Sequence, residues 1–210
     1  MTHSAPPLVI ASVVEGDGEI QALPKLLHRI AGDLDIWHIS TPRPARVPRS
    51  QLVKAGGIEN AVLKQAEFVR GHAGGVLVLL DADDDCPASL GPTLLARAQD
   101  ACHGVPVAVV LPSREYEYEY ESWFLAAADS LAGVRDFLAS MTAPAQPDTT
   151  PRDAKGWLTY QRGKHRPHSP TADQAPLTSA MSLTLARANS PSFDKLCRDA
   201  HYLMTGKRGA

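Results

Sequence analysis

Two groups of carboxylates follow directly on two apolar runs. Glu15-Gly16-Asp17-Gly18-Glu19 comes after Leu8 to Val14, and Asp81-Ala82-Asp83-Asp84-Asp85 comes after Val76 to Leu80. In extended backbone Asp81, Asp83 and Asp85 point to one side. Carboxylates that close repel one another unless a cation stands between them. An all-oxygen donor set suits a hard ion such as Mg²⁺ or Mn²⁺. One of these aspartates could instead cap a helix starting near Pro87, but four in five positions exceed that need. Glu15 is expected to project into the same cleft, with Gly16 and Gly18 letting the chain turn. Glu19 suits either the cleft or the positive end of the helix it opens.

A third acidic stretch runs from Arg114 to Trp123. Glu115 and Glu117 read as a solvated face. Glu119 and Glu121, next to the apolar run Trp123-Phe124-Leu125, are the better site candidates. Basic residues form two clusters. Arg43, Arg46 and Arg49 are spaced by three in a Pro-rich segment, with Lys54 soon after; this is either a surface that follows a phosphate backbone or a solvated loop. Lys155, Arg162, Lys164, His165, Arg166 and His168 form the second, where Lys164 or His165 could offset phosphate charge. A metal-ligand role for His165 and His168 fits a hard-ion carboxylate site poorly.

The elements that must hold these groups alternate. Strands are expected at Leu8 to Val14, Asp35 to Ile39, Val76 to Leu80 and Val105 to Leu111. Between them, apolar residues at helical spacing predict helices from Gly18 to Asp33, Ile58 to Arg70 and Pro87 to His103. The Pro/Arg segment 41–49 is expected to be non-helical. Strands apolar on both faces belong in the middle of a parallel sheet, so the pattern predicts three layers, with a mostly parallel central sheet and helices on both faces. Open sheets of this kind bind ligands at the carboxyl ends of their strands, where both acidic motifs fall. The second half is less regular. A helix is expected from Glu119 to Leu138, broken at Gly133, then a loop from Thr142 to Pro151. Arg162 to Pro176 shows no strong period, and two closing helices follow at Leu177 to Ala188 and Ser192 to Met204. We expect one domain over 1–210, with an α/β core at 1–140 and a loop-rich, helical C-terminal extension at 141–210.

Composition narrows the function classes. A net charge of -2 excludes a polycation, so any nucleic-acid contact must come from a local basic patch or a bound metal. Cys86, Cys102 and Cys197 have neither zinc spacing nor a disulfide pattern. No apolar run approaches the roughly 20 residues that span a bilayer, and Met1 to Pro6 lacks the basic region of a signal peptide. The expected location is the cytoplasm.

Glu15-Gly16, followed by Asp81-Ala82-Asp83, resembles the toprim signature of a glutamate ending the first strand and a DxD motif ending a later one. The order of motifs further resembles the toprim-like DUF4276 family. Its EG-x-x-E start is matched by Glu15 to Glu19, its D-x-D by Asp81 to Asp83, and its E-x-E-x-W-x-L element by Glu119 to Leu125. A later segment runs from Tyr160 through Asp173-Gln174 to Ser192-Phe193. The resemblance implies a toprim/Rossmann-like fold in which Glu15 serves as general acid/base and Asp81 and Asp83 hold Mg²⁺ or Mn²⁺. Glu119 or Glu121 would complete a second metal position; Asp85 is a metal candidate by its alternation with Asp81 and Asp83. The resemblance further implies phosphodiester hydrolysis of nucleic acid, DNA more than RNA, of the kind performed by overcome-lysogenisation-defect nucleases in phage defence, often beside an ATPase. Two other readings stand against it: a non-catalytic scaffold that docks on an ATPase or nucleic acid, and a DxD nucleotide-sugar transferase, which leaves Glu15-Gly16 unexplained. A haloacid-dehalogenase phosphatase is disfavoured because position 85 is Asp where that family's motif places Thr or Val.

Overall fold

The computed structural model describes residues 7–82, 85–112, 120–147, 153–162 and 166–208. Asp83, Glu119 and Lys164 therefore lie outside the described residues. In the first half, β1 (Leu8–Val14), β2 (Ile39–Ser40), β3 (Ala45–Arg46), β4 (Ala73–Leu79) and β5 (Val107–Val110) alternate with α1 (Glu19–Asp33), α2 (Arg49–Leu52), α3 (Gly57–Val69) and α4 (Pro87–Ala101). The second half is helical: α5 (Ser122–Ala126), α6 (Ala128–Leu131), α7 (Ala154–Gln161), α8 (Pro170–Ala180), α9 (Leu183–Asn189) and α10 (Pro191–Thr205).

All strand pairings are parallel, in the order β2-β1-β4-β5. β4 runs beside β1 along its whole length, from Leu8 opposite Ala73 to Val14 opposite Leu79. β2 and β3 share the other edge of β1, pairing its start and its end in turn. The strands are apolar on both faces because both faces are covered. Ile10, Val14, Leu77, Leu79 and Val110 pack into one core with α1, α5, α8 and α10. Val9, Ala11, Val13, Val76, Val78 and Val109 pack into a second core with α3 and α4. The expected three layers are thus present. Right-handed crossovers that run in opposite directions along the sheet, from β1 to β2 and from β3 to β4, put their helices on opposite faces, as α1 and α3 are. The order reverses between β1 and β4, so the crevice at their carboxyl ends is the topological switch point of the sheet.

Several local expectations are corrected. The strand expected at Asp35 to Ile39 reduces to Ile39–Ser40, because the chain leaves α1 through a tight turn with Asp35 in the left-handed region at φ 57°. The Pro/Arg segment includes the short strand β3, and Arg49 begins α2. The helix expected over 119–138 is two short ones, interrupted at Ala127 rather than Gly133. Its buried side chains, Trp123 through Ala128, are apolar on every side, so they sit inside the core with no amphipathic stripe to extend. α7 falls just before the stretch without a period, which contains most of α8, and the helix expected at Leu177 to Ala188 divides at Met181-Ser182, where the Ser182 hydroxyl caps α9. Among the described residues, no helix is long and apolar enough to cross a membrane.

Candidate metal centre

The two acidic motifs meet at the switch point. Glu15 directly follows β1 and Asp81 lies just past β4, and the Asp81 N–H donates to Glu15 Oε2 at 3.2 Å. Glu19 sits in the first turn of α1, 3% exposed. Its Oε2 accepts the backbone N–H of both Glu15 and Gly16, each at 3.2 Å, and so closes the turn between β1 and α1. Burial pushes the Glu19 carboxyl up to about 8, and the nearby charges of Glu121 and Glu15 add to the rise against its backbone hydrogen bonds. At neutral pH it is mainly the uncharged acid, as expected where carboxyl groups crowd in a low dielectric.

Glu121 joins this cluster from the other half of the chain. It precedes α5 in helical conformation but makes no side-chain cap. The next residues anchor it: Trp123 is fully buried, donates from Nε1 to Ser192 Oγ at 3.0 Å, and packs against Tyr120 and Phe193. The Glu121 carboxylate is 1% exposed. Its Oε1 accepts from Gln174 Nε2 at 2.9 Å and lies 2.9 Å from His168 Nε2. Its Oε2 is buried and has no hydrogen-bond partner among the described residues. His168 Nδ1 faces Asp173 Oδ2 at 3.7 Å, and that oxygen accepts from Arg162 Nη1 at 2.7 Å and from the Ser169 N–H at 2.9 Å. Burial pushes the Asp173 carboxyl up, but the Arg162 and Ser169 hydrogen bonds outweigh it, and the net shift is downward.

These groups border a cleft of about 280 Å³, whose walls include Asp17, Glu19, Asp81, Glu121, Lys155 and Gln174. A larger groove of about 680 Å³ lies between α1, α9 and α10, but Arg187 and Arg198 on its wall both pair with Asp194. Volume favours the groove; convergent carboxylates and a lysine favour the smaller cleft, and site chemistry is the better guide. Among the described residues, no three His, Cys, Asp or Glu side chains form a ready-made ion site.

The Arg segment borders this cleft. β3 pairs with the end of β1, and Arg46 Nε meets Asp17 at 3.1 Å. Arg49 is turned to the acidic loop: Nε donates to Asp81 O and Nη2 to Ala82 O, each at 3.1 Å, and Nη2 also pairs with Asp85. Arg43 and Lys54 are exposed. The sequence reading passed over Arg162, Asp173 and Gln174 as site supports, and gave His168 only a weak ligand role. The signal available was the pair Asp173-Gln174, polar in a helix whose neighbours Ala175 and Leu177 are buried.

Comparison with solved structures finds the C-terminal region of the Burkholderia pseudomallei OLD protein, 16% identical, covering 94% of this chain and 96% of that one with a TM-score of 0.41. It also finds the C-terminal region of the Xanthomonas campestris pv. campestris OLD protein, 13% identical, covering 95% and 96% with a TM-score of 0.38. No curated protein sequence matches the chain. The family model described as "Domain of unknown function (DUF4276)" matches residues 14–199, from the end of β1 into α10. The chain belongs to the DUF4276 family.

Proposed function

We propose that this protein is a divalent-metal-dependent phosphodiesterase of the toprim type, acting on nucleic acid. The observation that carries the reading is that Glu15 accepts the Asp81 N–H at the switch point of a parallel sheet, while Glu19, Asp81 and Glu121 line the cleft there, with one oxygen of Glu121 buried and, among the described residues, unpartnered. That orphaned oxygen fits a cation that is bound by oxygen alone. Glu15, Asp81 and Glu121 would hold Mg²⁺ or Mn²⁺, joined by Asp83 and Glu119, with Asp85 at the end of the loop. When bound, the ion supplies positive charge against the charge that develops on the phosphoryl oxygens.

The chain's own groups do the rest. Glu19 holds the Glu15-Gly16 backbone and so fixes where the Glu15 carboxylate stands. Glu15 takes the proton of the attacking water. Lys155, on the cleft wall, meets the phosphate, a role for which Lys164 is the second candidate. Arg43, Arg46 and Lys54 bind the flanking backbone phosphates, DNA more than RNA. Arg49 belongs to the same segment but also ties down the acidic loop. A partner ATPase is the companion that the family resemblance suggests.

Purified protein incubated with single- and double-stranded DNA and with RNA, with Mg²⁺, Mn²⁺ or EDTA, tests the reading. Metal-dependent cleavage lost in Asp81→Ala is the expected result. Metal binding with no cleavage of any substrate, alone or with an ATPase encoded nearby, would favour the non-catalytic scaffold.

A further inference from the structure

The Glu121 carboxylate is held unevenly. Both of its hydrogen bonds fall on Oε1, from Gln174 Nε2 and His168 Nε2, each at 2.9 Å. A carboxylate only accepts, so the imidazole pairing selects the tautomer with the hydrogen on Nε2. Oε2 is buried too and has no partner among the described residues. An unpaired buried carboxylate oxygen carries a desolvation penalty that no hydrogen bond offsets. A fold that supplies two donors to one oxygen and none to the other leaves the second for a ligand. Glu121 lines the cleft, with Glu19, Asp81 and Lys155 on its walls.

The donors are themselves fixed. Gln174 sits on α8 one residue after Asp173, and the Asp173 carboxylate takes the Arg162 guanidinium and the N–H that opens the same helix. Arg162, Asp173 and His168 have side chains at most 1% exposed, and Arg162 lies over the Phe137 ring at 4.5 Å. His168 is tethered through its own N–H to Thr159 Oγ1 at 2.9 Å. A buried ion pair such as Arg162 with Asp173 adds little net stability over apolar residues of like volume. Partners behind a metal ligand commonly orient it in this way.

We propose that His168 and Gln174 are positioning residues that aim Glu121 Oε2 into the cleft as a metal-ligating atom, with Asp173 and Arg162 fixing the start of the helix that carries Gln174. This rests on the metal-site reading above. Arg162 and the Ser169 N–H hold Asp173 and so the start of α8 behind Gln174, while Thr159 tethers the backbone of His168.

The test is Mn²⁺ binding by the full chain, read from the loss of the free-ion electron paramagnetic resonance signal, with thermal unfolding in EDTA measured for each variant. Glu121→Gln, His168→Ala and Gln174→Met are expected to weaken Mn²⁺ binding by about 10- to 100-fold. His168→Gln, whose amide nitrogen falls near the imidazole Nε2, is expected to regain most of that loss. A purely structural role would lower the EDTA melting temperature in these variants and leave Mn²⁺ affinity at the wild-type value. Wild type that binds no Mn²⁺ at millimolar concentration overturns the metal-site reading itself. Wild type that binds, with Glu121→Gln impaired but folded Gln174→Met and His168→Gln indistinguishable from wild type and no further loss in His168→Ala, overturns the positioning role alone. If His168→Ala does not fold, wild-type affinity in Gln174→Met overturns the proposal and a 10-fold loss supports it.

Discussion

Glu19 gives the sharpest stability prediction. The perturbation is Glu19→Gln, which keeps an acceptor oxygen for the N–H groups of Glu15 and Gly16 and has no proton to lose. In the folded chain burial, then the charges of Glu121 and Glu15, raise the Glu19 carboxyl from 4.5 to about 8. Between those values the folded state keeps a proton that the unfolded state has released. Stability from this group is therefore fully present below about pH 4.5 and is lost as pH rises towards 8. A rise of that size corresponds to a ceiling of about 5 kcal/mol, at up to about 1.4 kcal/mol per pH unit. Urea unfolding in EDTA at steps from pH 5 to pH 8.5 reads it directly. Wild type should weaken along this window while Glu19→Gln stays flatter, so that the variant is the more stable protein at pH 8. Parallel curves, with a constant difference at every pH, would refute the claim that Glu19 is a buried neutral acid.

Other outcomes follow from the same geometry. Mg²⁺ or Mn²⁺ should raise the melting temperature of wild type but not of Asp81→Asn, with about 2.7 kcal/mol gained at a hundred times the dissociation constant. Arg49→Ala, which frees the carbonyls of Asp81 and Ala82, should cost about 1–3 kcal/mol in urea unfolding and reduce that metal-induced shift, while Arg43→Ala should alter neither. At Gly18 a methyl group would meet Pro170 O at 2.6 Å and Gln174 Oε1 at 2.2 Å, so Gly18→Ala should lose about 1–3 kcal/mol and weaken Mn²⁺ binding by disturbing Gln174. Neutralising Arg43, Arg46 and Lys54 together should flatten the salt dependence of DNA binding by about one unit of log-log slope for each phosphate contact removed; an unchanged slope would remove this surface from the reading.

The sheet was legible because its signal is local. Leu8–Val14 is bounded as expected, and β4 was read from a run that is apolar throughout. The placement of Glu15 beside Asp81 followed from strand order, since both end parallel strands that turn out to be neighbours. The second half resisted reading for two physical reasons. Helices such as α5 are apolar on all sides, which erases the stripe that marks a helix. Others, such as α8, carry buried polar groups whose partners are remote in sequence: Gln174 bonds to Glu121, and Arg29 donates to the carbonyls of Thr178 and Met181. Nothing in a single segment announces such a pairing. Glu121 could be picked out as a candidate and Asp173-Gln174 stood out as a polar pair, but neither segment showed that His168 and Gln174 meet Glu121.

The close approach of α1 and α8 at Gly18 also sets an order of events. Glu15, Glu19 and Asp81 lie in the first part of the chain, on elements that pair among themselves. The donors that fix Glu121 come from residues 168 and 174, and α8 closes over the start of α1 only when it has been made. A polypeptide emerging from the ribosome builds from its N-terminus, and domains complete as units. A nascent chain that stops short of α8 carries the acidic residues of the cleft but lacks its far wall and the groups that orient Glu121. The last carboxylate therefore comes into register only in the finished molecule, and a shortened chain would display the same sequence motifs without assembling the site.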